Sequence, residues 1–126
     1  MTKGELKAKG LAAYKSKKYE TAYLCFNNAL LMPHYSYGDK LQSANDVAIT
    51  LIKLNRCDEV QPLLLQHINE QSSDNAKAAA YYNIGLAMEK LNNDKEAMVN
   101  FETSCKLKET SACKAKIIEV ESRMKQ

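Results

Sequence analysis

A four-residue pattern occurs three times at fixed spacing and constrains the fold of this chain more than any other feature. It consists of a small residue, then an aliphatic one after twelve positions, a large one after sixteen and a fourth member after nineteen. The copies are Gly10, Ala22, Phe26 and Ala29; Ala48, Val60, Leu64 and His67; and Gly85, Ala97, Phe101 and Ser104. Three copies in one register indicate a repeat architecture.

The spacing within each copy fits a pair of antiparallel helices. A small residue in the first helix lets the second helix approach closely, and the large residue fills the space between neighbouring pairs. One pair cannot bury its apolar face alone, so the copies have to stack. Because the chain contains only 4 Gly and 2 Pro, helices can run without interruption. The sequence therefore predicts an all-α fold of three helical hairpins.

Caps and prolines place the helix ends. Thr2 and Glu5 form a Thr-x-x-Glu capping box that opens a first helix. Pro33 ends the second helix because proline cannot continue the hydrogen-bond ladder, whereas Pro62 is tolerable only near a first turn. The helices are predicted at about 3–16, 19–32, 39–54, 58–70, 75–91, 95–108 and 111–124.

The last of these helices has one apolar stripe, and its opposite side is charged. The stripe is Cys113, Ile117, Val120 and Met124, and the charged side carries Lys114, Glu121 and Lys125. Solenoids need a solvating cap at their ends, so the helix is predicted to cover the last hairpin. A helix that binds a partner or dimerises is the alternative.

The third copy most resembles a known family. The segment 81–87 (Tyr-Tyr-Asn-Ile-Gly-Leu-Ala), followed by Ala97 and Phe101, resembles the consensus of the tetratricopeptide repeat. The first copy is similar up to its terminating Pro33, while the second departs at Ala48, Pro62 and His67. This resemblance implies one domain over residues 1–126, an α-solenoid with right-handed superhelical twist. Its repeats are expected at about 3–36, 41–74 and 78–110, and its C-terminal capping helix at about 111–124.

The repeats are longer than is usual for this family. The copies lie 38 and 37 residues apart, from 10 to 48 and from 48 to 85, whereas the usual period is about 34. Extra residues are therefore expected around 34–40 and 70–77, where they lengthen the following helix or enlarge the loop.

In the resembling family, one row of each first helix lines a concave groove that holds peptides. Here Leu11, Ile49 and Leu86 occupy equivalent positions in that row. Tyrosines add amphipathic contact area, and lysines flank the row. The resemblance implies a peptide-binding site formed by Lys7, Leu11, Tyr14, Asn45, Ile49, Ile52, Lys53, Tyr82, Leu86 and Lys90. The alternative is that this row only extends helix packing.

The composition of this row predicts the chemistry of the partner. Aliphatic and aromatic side chains supply affinity, while lysines supply orientation and association rate. We expect an adaptor or chaperone-like module that binds a protein or peptide segment with apolar and acidic groups.

Two specialised activities resemble this pattern only in part. Repeat domains that hold the acidic carboxyl ends of heat-shock chaperones share a clamp of Lys, Asn, Asn, Lys and Arg. The five positions here are Lys7, Leu11, Asp46, Ala79 and Asn83. Asp46 would repel a carboxylate, so that activity is not expected. Translocator-class chaperones of bacterial type III secretion are similar in size, but their pattern has a helix before the first repeat. They remain a minor alternative.

Charge and cysteine usage exclude other classes of protein. A net charge of +3 is small for a nucleic-acid binder, and no apolar window approaches the roughly 18 residues of a membrane span. The start has no apolar core of the kind a secretory signal needs. None of Cys25, Cys57, Cys105 and Cys113 forms a CxxC pair. We expect buried reduced thiols, no metal or cofactor, and a cytoplasmic chain.

Catalysis and self-association are the competing hypotheses. Neither His34 nor His67 has a cysteine or carboxylate at triad or ligand spacing, so no enzyme is expected and His67 is predicted to be a partly buried packing residue. Tyr35, Tyr37 and the final helix offer surface for a homodimer. The alternative function is accordingly a scaffold subunit that pairs through the groove or the terminal helix.

Overall fold

The computed structural model describes residues 1–34 and 36–126, so Tyr35 lies outside the described residues. Within these ranges the chain forms helices and no strand. The α-helices are α1 (Lys3–Lys15), α2 (Tyr19–Leu30), α3 (Tyr37–Lys53), α4 (Val60–His67), α5 (Asp74–Lys90), α6 (Asp94–Leu107) and α7 (Ser111–Met124), with a 3₁₀ turn at Cys57–Glu59. The predicted all-α fold is confirmed.

The helices pair in chain order and then stack. α1 packs on α2, α3 on α4 and α5 on α6, while α3 also contacts α2 and α5, and α7 packs on α6. The central contacts are made by fully buried side chains of Leu41, Leu64, Ile84 and Phe101. Burial of such side chains is the main favourable term that holds the hairpins together.

Each hairpin closes on the small residue of the repeat. A Cβ built on Gly10 would lie 2.7 Å from Cε1 of Phe26, and one on Gly85 would lie 2.5 Å from Cε1 of Phe101. Both distances are too short for carbon atoms, so any larger residue at these positions would displace the phenyl ring. The second hairpin has a fully buried Ala48 and, sixteen positions later, a smaller Leu64. The predicted close approach is confirmed.

The first helix of every hairpin ends in the same left-handed turn. Lys17, Asn55 and Asn92 have φ angles of 62°, 61° and 62°, and each stands seven positions after the small packing residue. The next amide in each case donates to a carbonyl five residues back: Lys18 to Ala13, Arg56 to Leu51 and Asn93 to Met88. This Schellman pattern satisfies carbonyls that a helix end leaves free.

The extra residues of the longer repeats lie in helices as well as loops. α3 and α5 have 17 residues each, whereas α1 has 13, so lengthening of the following helix is confirmed. Pro62 is the third residue of α4 and lies in its first turn. α4 ends at His67, about three residues earlier than predicted. Just beyond it, the Gln71 amide donates to the Asn69 side chain at 2.8 Å, a local turn that competes with helix.

The prediction that all four cysteines are reduced is wrong. Cys25 and Cys57 are buried free thiols, but Cys105 and Cys113 form a disulfide. The end of α6 and the start of α7 meet in space, which their spacing along two separate helices does not reveal. The thiols therefore give no support to a reducing compartment, and the localisation stays a prediction. None of the described helices combines the length and apolar content that a membrane crossing needs.

α7 is held on the last hairpin by buried side chains and by a charge cluster. Cys113 and Val120 of the predicted stripe are fully buried, whereas Met124, the last residue of the helix, is exposed. Arg123 donates to Glu89 at 2.8 Å and to Asp94 at 2.9 Å, and Lys116 donates to Glu89 at 2.9 Å. The cluster joins α7 to both helices of the third hairpin.

These contacts give the stability of α7 a dependence on pH. Hydrogen bonds from Arg123 hold the pKa of Asp94 below its ordinary value. Burial alone would raise the pKa of Glu89, but the bonds from Lys116 and Arg123 outweigh it and lower that pKa. A group with a depressed folded-state pKa contributes stability above its unfolded pKa, about 4 for these carboxylates, and loses it as pH falls through the folded value.

Arg123→Gln is therefore expected to lower the urea midpoint at neutral pH by an amount that shrinks below about pH 4. Urea titrations of both proteins at several pH values measure this difference. Lys125→Gln is the matched control, because its pair with Glu121 is exposed and such pairs contribute little. A difference that stays constant across the acid range would contradict the assignment.

Candidate peptide-binding groove

From residue 41 onward, the central helix α3 is open to solvent along a single line. From residue 41 to residue 53, every side chain is buried except Gln42, Asp46, Ile49 and Lys53, which we call the open strip of α3. These residues are spaced by four, three and four positions, so they lie on one face of the helix. Any partner that reaches α3 between its neighbours has to contact this strip.

Equivalent positions of α1 and α5 continue the strip on both sides. Leu11 is 48% exposed, while Ile49 and Leu86 are half-buried. These three residues, the aliphatic row, each follow the small packing residue by one position. Because the hairpins stack in the same order, equivalent positions face the same side of the molecule. All three aliphatic residues that the sequence selected are therefore at least partly accessible, and their joint role in one site stays a prediction.

A row of lysines runs beside the aliphatic row. Lys15, Lys53 and Lys90 stand in the last turns of α1, α3 and α5, four residues beyond Leu11, Ile49 and Leu86. All three are exposed, and none forms an ion pair with another described residue. Cations are favourable at helix C-termini. We call this row the lysine rim; Lys15 is the member missing from the predicted site.

Two predicted site residues are buried beneath this surface. Asn45 is 9% exposed and Ile52 is 8% exposed. The Asn45 amide donates to the Ala76 carbonyl at 3.3 Å and accepts from the Asn83 amide at 3.2 Å. These bonds join α3 to α5, and α5 covers the side of α3 from which Asn45 and Ile52 project. Both residues support the wall of the candidate groove rather than present surface.

The two predicted tyrosines each have a side chain that is partly buried and partly exposed. Tyr14 is half-buried and contacts the ring of Tyr19 edge-on, with centroids 5.4 Å apart. Tyr82 is also half-buried, with its centroid 5.4 Å from that of Phe101. Lys7, the remaining predicted residue, is half-buried on α1, and its charge acts on the carboxyl of Asp46.

A small cavity lies at the α7 end of the candidate groove. Its volume is about 290 Å³, and Tyr82, Asn83, Lys108, Thr110 and Ala112 are among its lining residues. The sequence did not predict this cavity, because α5 forms one side of its wall and the segment from the end of α6 to the start of α7 forms the other. The packing of α7 on α6 brings that segment beside α5.

A larger cleft of about 1030 Å³ lies between the ends of α2 and α4, with His34, Lys40 and His67 in its wall. Burial lowers the pKa of both histidines, helped by Lys3 for His34 and by Lys40 for His67. Nε2 of His34 lies 3.0 Å from the hydroxyl oxygen of Ser43, but Ser43 is only 1% exposed. This pair offers no accessible nucleophile. His67 is half-buried, as the packing prediction requires.

The fold is that of tetratricopeptide-repeat domains, α-helical solenoids of stacked hairpins. The chain is similar to the TPR2AB-domain:pHSP90 complex of yeast Sti1, with a TM-score of 0.85 and 18% identity over 98% of this chain and 47% of that one. It is also similar to the N-terminal domain of stress-induced protein-1 (STI-1) from C. elegans, with a TM-score of 0.74 and 23% identity over 94% of both chains.

The chain thus spans about half the length of the yeast structure. No protein-family model matches the sequence, and no curated protein matches it either. The similarity to these structures establishes the fold and does not establish the site.

Proposed function

We propose that this chain is a protein-interaction module, adaptor or chaperone-like, that binds a peptide segment with apolar and acidic groups across α1, α3 and α5. The observation that carries the proposal is the open strip of α3. The rest of that helix from residue 41 onward is buried, yet the strip keeps Ile49 and Lys53 accessible. The same pair of residue types recurs four residues apart on α1 and α5.

The spacing of the rows suits a polypeptide ligand. α3 and α5 pack on each other; packed helices lie about 8–10 Å apart, and an extended chain advances about 3.3 Å per residue. A segment that passes from Ile49 on α3 to Leu86 on α5 therefore advances by about three residues. The lysine rim would pair with carboxylates along one edge of that segment, which favours rapid and oriented association.

One similar structure supports a protein or peptide partner but not the same mode of binding. It is the TPR2AB-domain:pHSP90 complex of yeast Sti1. In this chain the positions of the resembling carboxylate clamp hold Leu11, Asp46, Ala79 and Asn83 after Lys7. Apolar anchors and the lysine rim would replace the clamp as the determinants of affinity.

Self-association is the second candidate. Tyr37 is exposed, as are Ile118 and Met124 of α7, and these side chains would pack against a second copy. Light scattering at several concentrations detects a dimer. A dimer that Leu11→Asp abolishes would favour pairing through the groove, whereas a dimer that persists leaves the groove free.

The proposal is tested by placing charge on the aliphatic row. The triple variant Leu11→Asp, Ile49→Asp and Leu86→Asp is expected to lose at least about 100-fold in affinity for a partner peptide, since buried carboxylates meet apolar anchors. Binding is measured by fluorescence anisotropy with peptides selected from a random library on the wild-type protein. Circular dichroism and melting should change little.

The matched control places the same three charges on the second helix of each hairpin. Leu24, Leu65 and Val99 are exposed apolar residues of α2, α4 and α6, and their replacement by Asp is expected to leave binding intact. If the first triple variant bound the peptides as well as the control variant does, the assignment of the binding site to the groove would be wrong. Unfolding of the first variant alone would assign the aliphatic row to the core.

A further inference from the structure

The open strip of α3 contains one carboxylate, that of Asp46. Asp46 is half-buried on this strip, and its side chain forms no hydrogen bond or ion pair with any described residue. Lys7 is close enough for its charge to act on Asp46, but the two form no ion pair. Burying an ionised group without a hydrogen bond or ion pair is unfavourable. The folding of the chain therefore does not account for the presence of a carboxylate at position 46.

Asp46 and Lys53 of the lysine rim carry opposite charges and lie on opposite sides of Ile49 along α3. Along α3, Asp46 and Lys53 are seven residues apart, which corresponds to about 10 Å at 1.5 Å per residue, and Ile49 lies between them. A segment that covers Ile49 therefore has one edge at the lysine and the other at the carboxylate. The edge at Lys53 favours an acidic group on the segment, and the edge at Asp46 favours a basic one.

The surroundings leave the carboxylate available to a ligand. The neighbouring Asn45 is committed to Ala76 and Asn83 of α5, so it does not donate to Asp46. Gln42, one turn earlier on the strip, is exposed. Burial raises the pKa of Asp46, and the charge of Lys7 opposes that shift. A cation in contact with the carboxylate would stabilise its ionised form.

We propose that Asp46 is a specificity-determining residue that pairs with a lysine or arginine of the bound segment at the level of the second hairpin. This rests on the proposed function and adds to it. The ligand is then an amphipathic segment with apolar anchors, acidic groups on the edge that meets the lysine rim, and a basic residue on the opposite edge. A carboxylate at that basic position is rejected by like-charge repulsion.

Selection from a random peptide library displayed on phage tests the proposal without a known ligand. Pools are selected in parallel on the wild-type chain, Asp46→Asn and Asp46→Lys. Asp58→Lys is the matched control, because Asp58 is exposed on the 3₁₀ turn, outside the open strip. Circular dichroism checks that each variant is folded before selection.

Wild-type peptides are expected to share a lysine or arginine at one fixed offset from an apolar residue. Replacing that basic residue by methionine should weaken binding to the wild type roughly tenfold, as expected for a hydrogen bond to a charged group. The same replacement should change binding to Asp46→Asn less than about threefold. Asp46→Lys should select an acidic residue at that offset, while Asp58→Lys should select the wild-type pattern.

Two results separate the failure of this inference from that of the groove. Peptides that need Leu11, Ile49 and Leu86 but show the same composition for wild type, Asp46→Asn and Asp46→Lys would overturn the role of Asp46 alone. Peptides that bind the triple Asp variant of the aliphatic row as well as wild type would overturn both proposals. A basic preference lost equally in Asp58→Lys would also refute a specific role for Asp46.

Discussion

Phe101→Ala is expected to lower the free energy of unfolding by about 3–5 kcal/mol, the usual cost of removing a buried phenyl ring. The ring is fully buried and covers Gly85 so closely that no Cβ fits between them. A domain of this kind has about 5–15 kcal/mol of stability in total, so the expected loss is a large share of it. Urea denaturation followed by circular dichroism measures the loss.

The second hairpin shows how the same contact can be made with other residues. Gly85→Ala alone is expected to cost up to about 2 kcal/mol, because overpacking costs about 1–3 kcal/mol and the gain in helix propensity returns about 1 kcal/mol. Gly85→Ala with Phe101→Leu reproduces the Ala48 and Leu64 combination. This double variant should be at least about 1 kcal/mol more stable than the sum of the single effects.

Gly4→Ala provides the control for helix propensity. Its new Cβ would meet only Oγ1 of Thr2, at 3.9 Å, so this substitution should stabilise the protein by about 0.5–1 kcal/mol. If Gly85→Ala also stabilised the protein, the close approach that defines the hairpin would be refuted.

Reduction of the Cys105–Cys113 disulfide is expected to lower the free energy of unfolding by about 2–3 kcal/mol, the loop-closure contribution for a bond that spans so few residues. The sequence separation is 8, and the bond ties the end of α6 to the start of α7. Urea denaturation with and without a phosphine reductant measures the effect. Amide exchange should rise most in α7, because α6 is the helix on which α7 mainly packs.

Replacing one bonded and one free cysteine provides the comparison. Cys105→Ser should have the stability of the reduced protein and should not respond to the reductant. Cys57→Ser, which replaces a buried free thiol, should keep the response to the reductant. Equal midpoints for wild type with and without reductant would show that the bond adds nothing to stability.

The hairpins were predictable because their signals are local or periodic. The Thr2 and Glu5 capping box is observed in full, and the repeat spacing placed Gly10 and Gly85 under their phenyl rings. The left-handed turn at Lys17 was missed, since lysine is no usual choice for a positive φ. Its equivalence to Asn55 and Asn92 in the repeat register was the signal that could have revealed it.

Sequence by itself determined the number of hairpins, the approximate helix ends and the aliphatic row, because each follows from spacing within one helix or one repeat. Only the tertiary structure decided which residues beside that row are accessible. Asn45 and Ile49 are four residues apart on α3, yet α5 covers Asn45 while Ile49 is only half-buried. The rotation of one hairpin against the next sets this difference, and the position of α7 on α6 sets the Cys105–Cys113 pairing. The spacing of residues along a single helix determines neither of them.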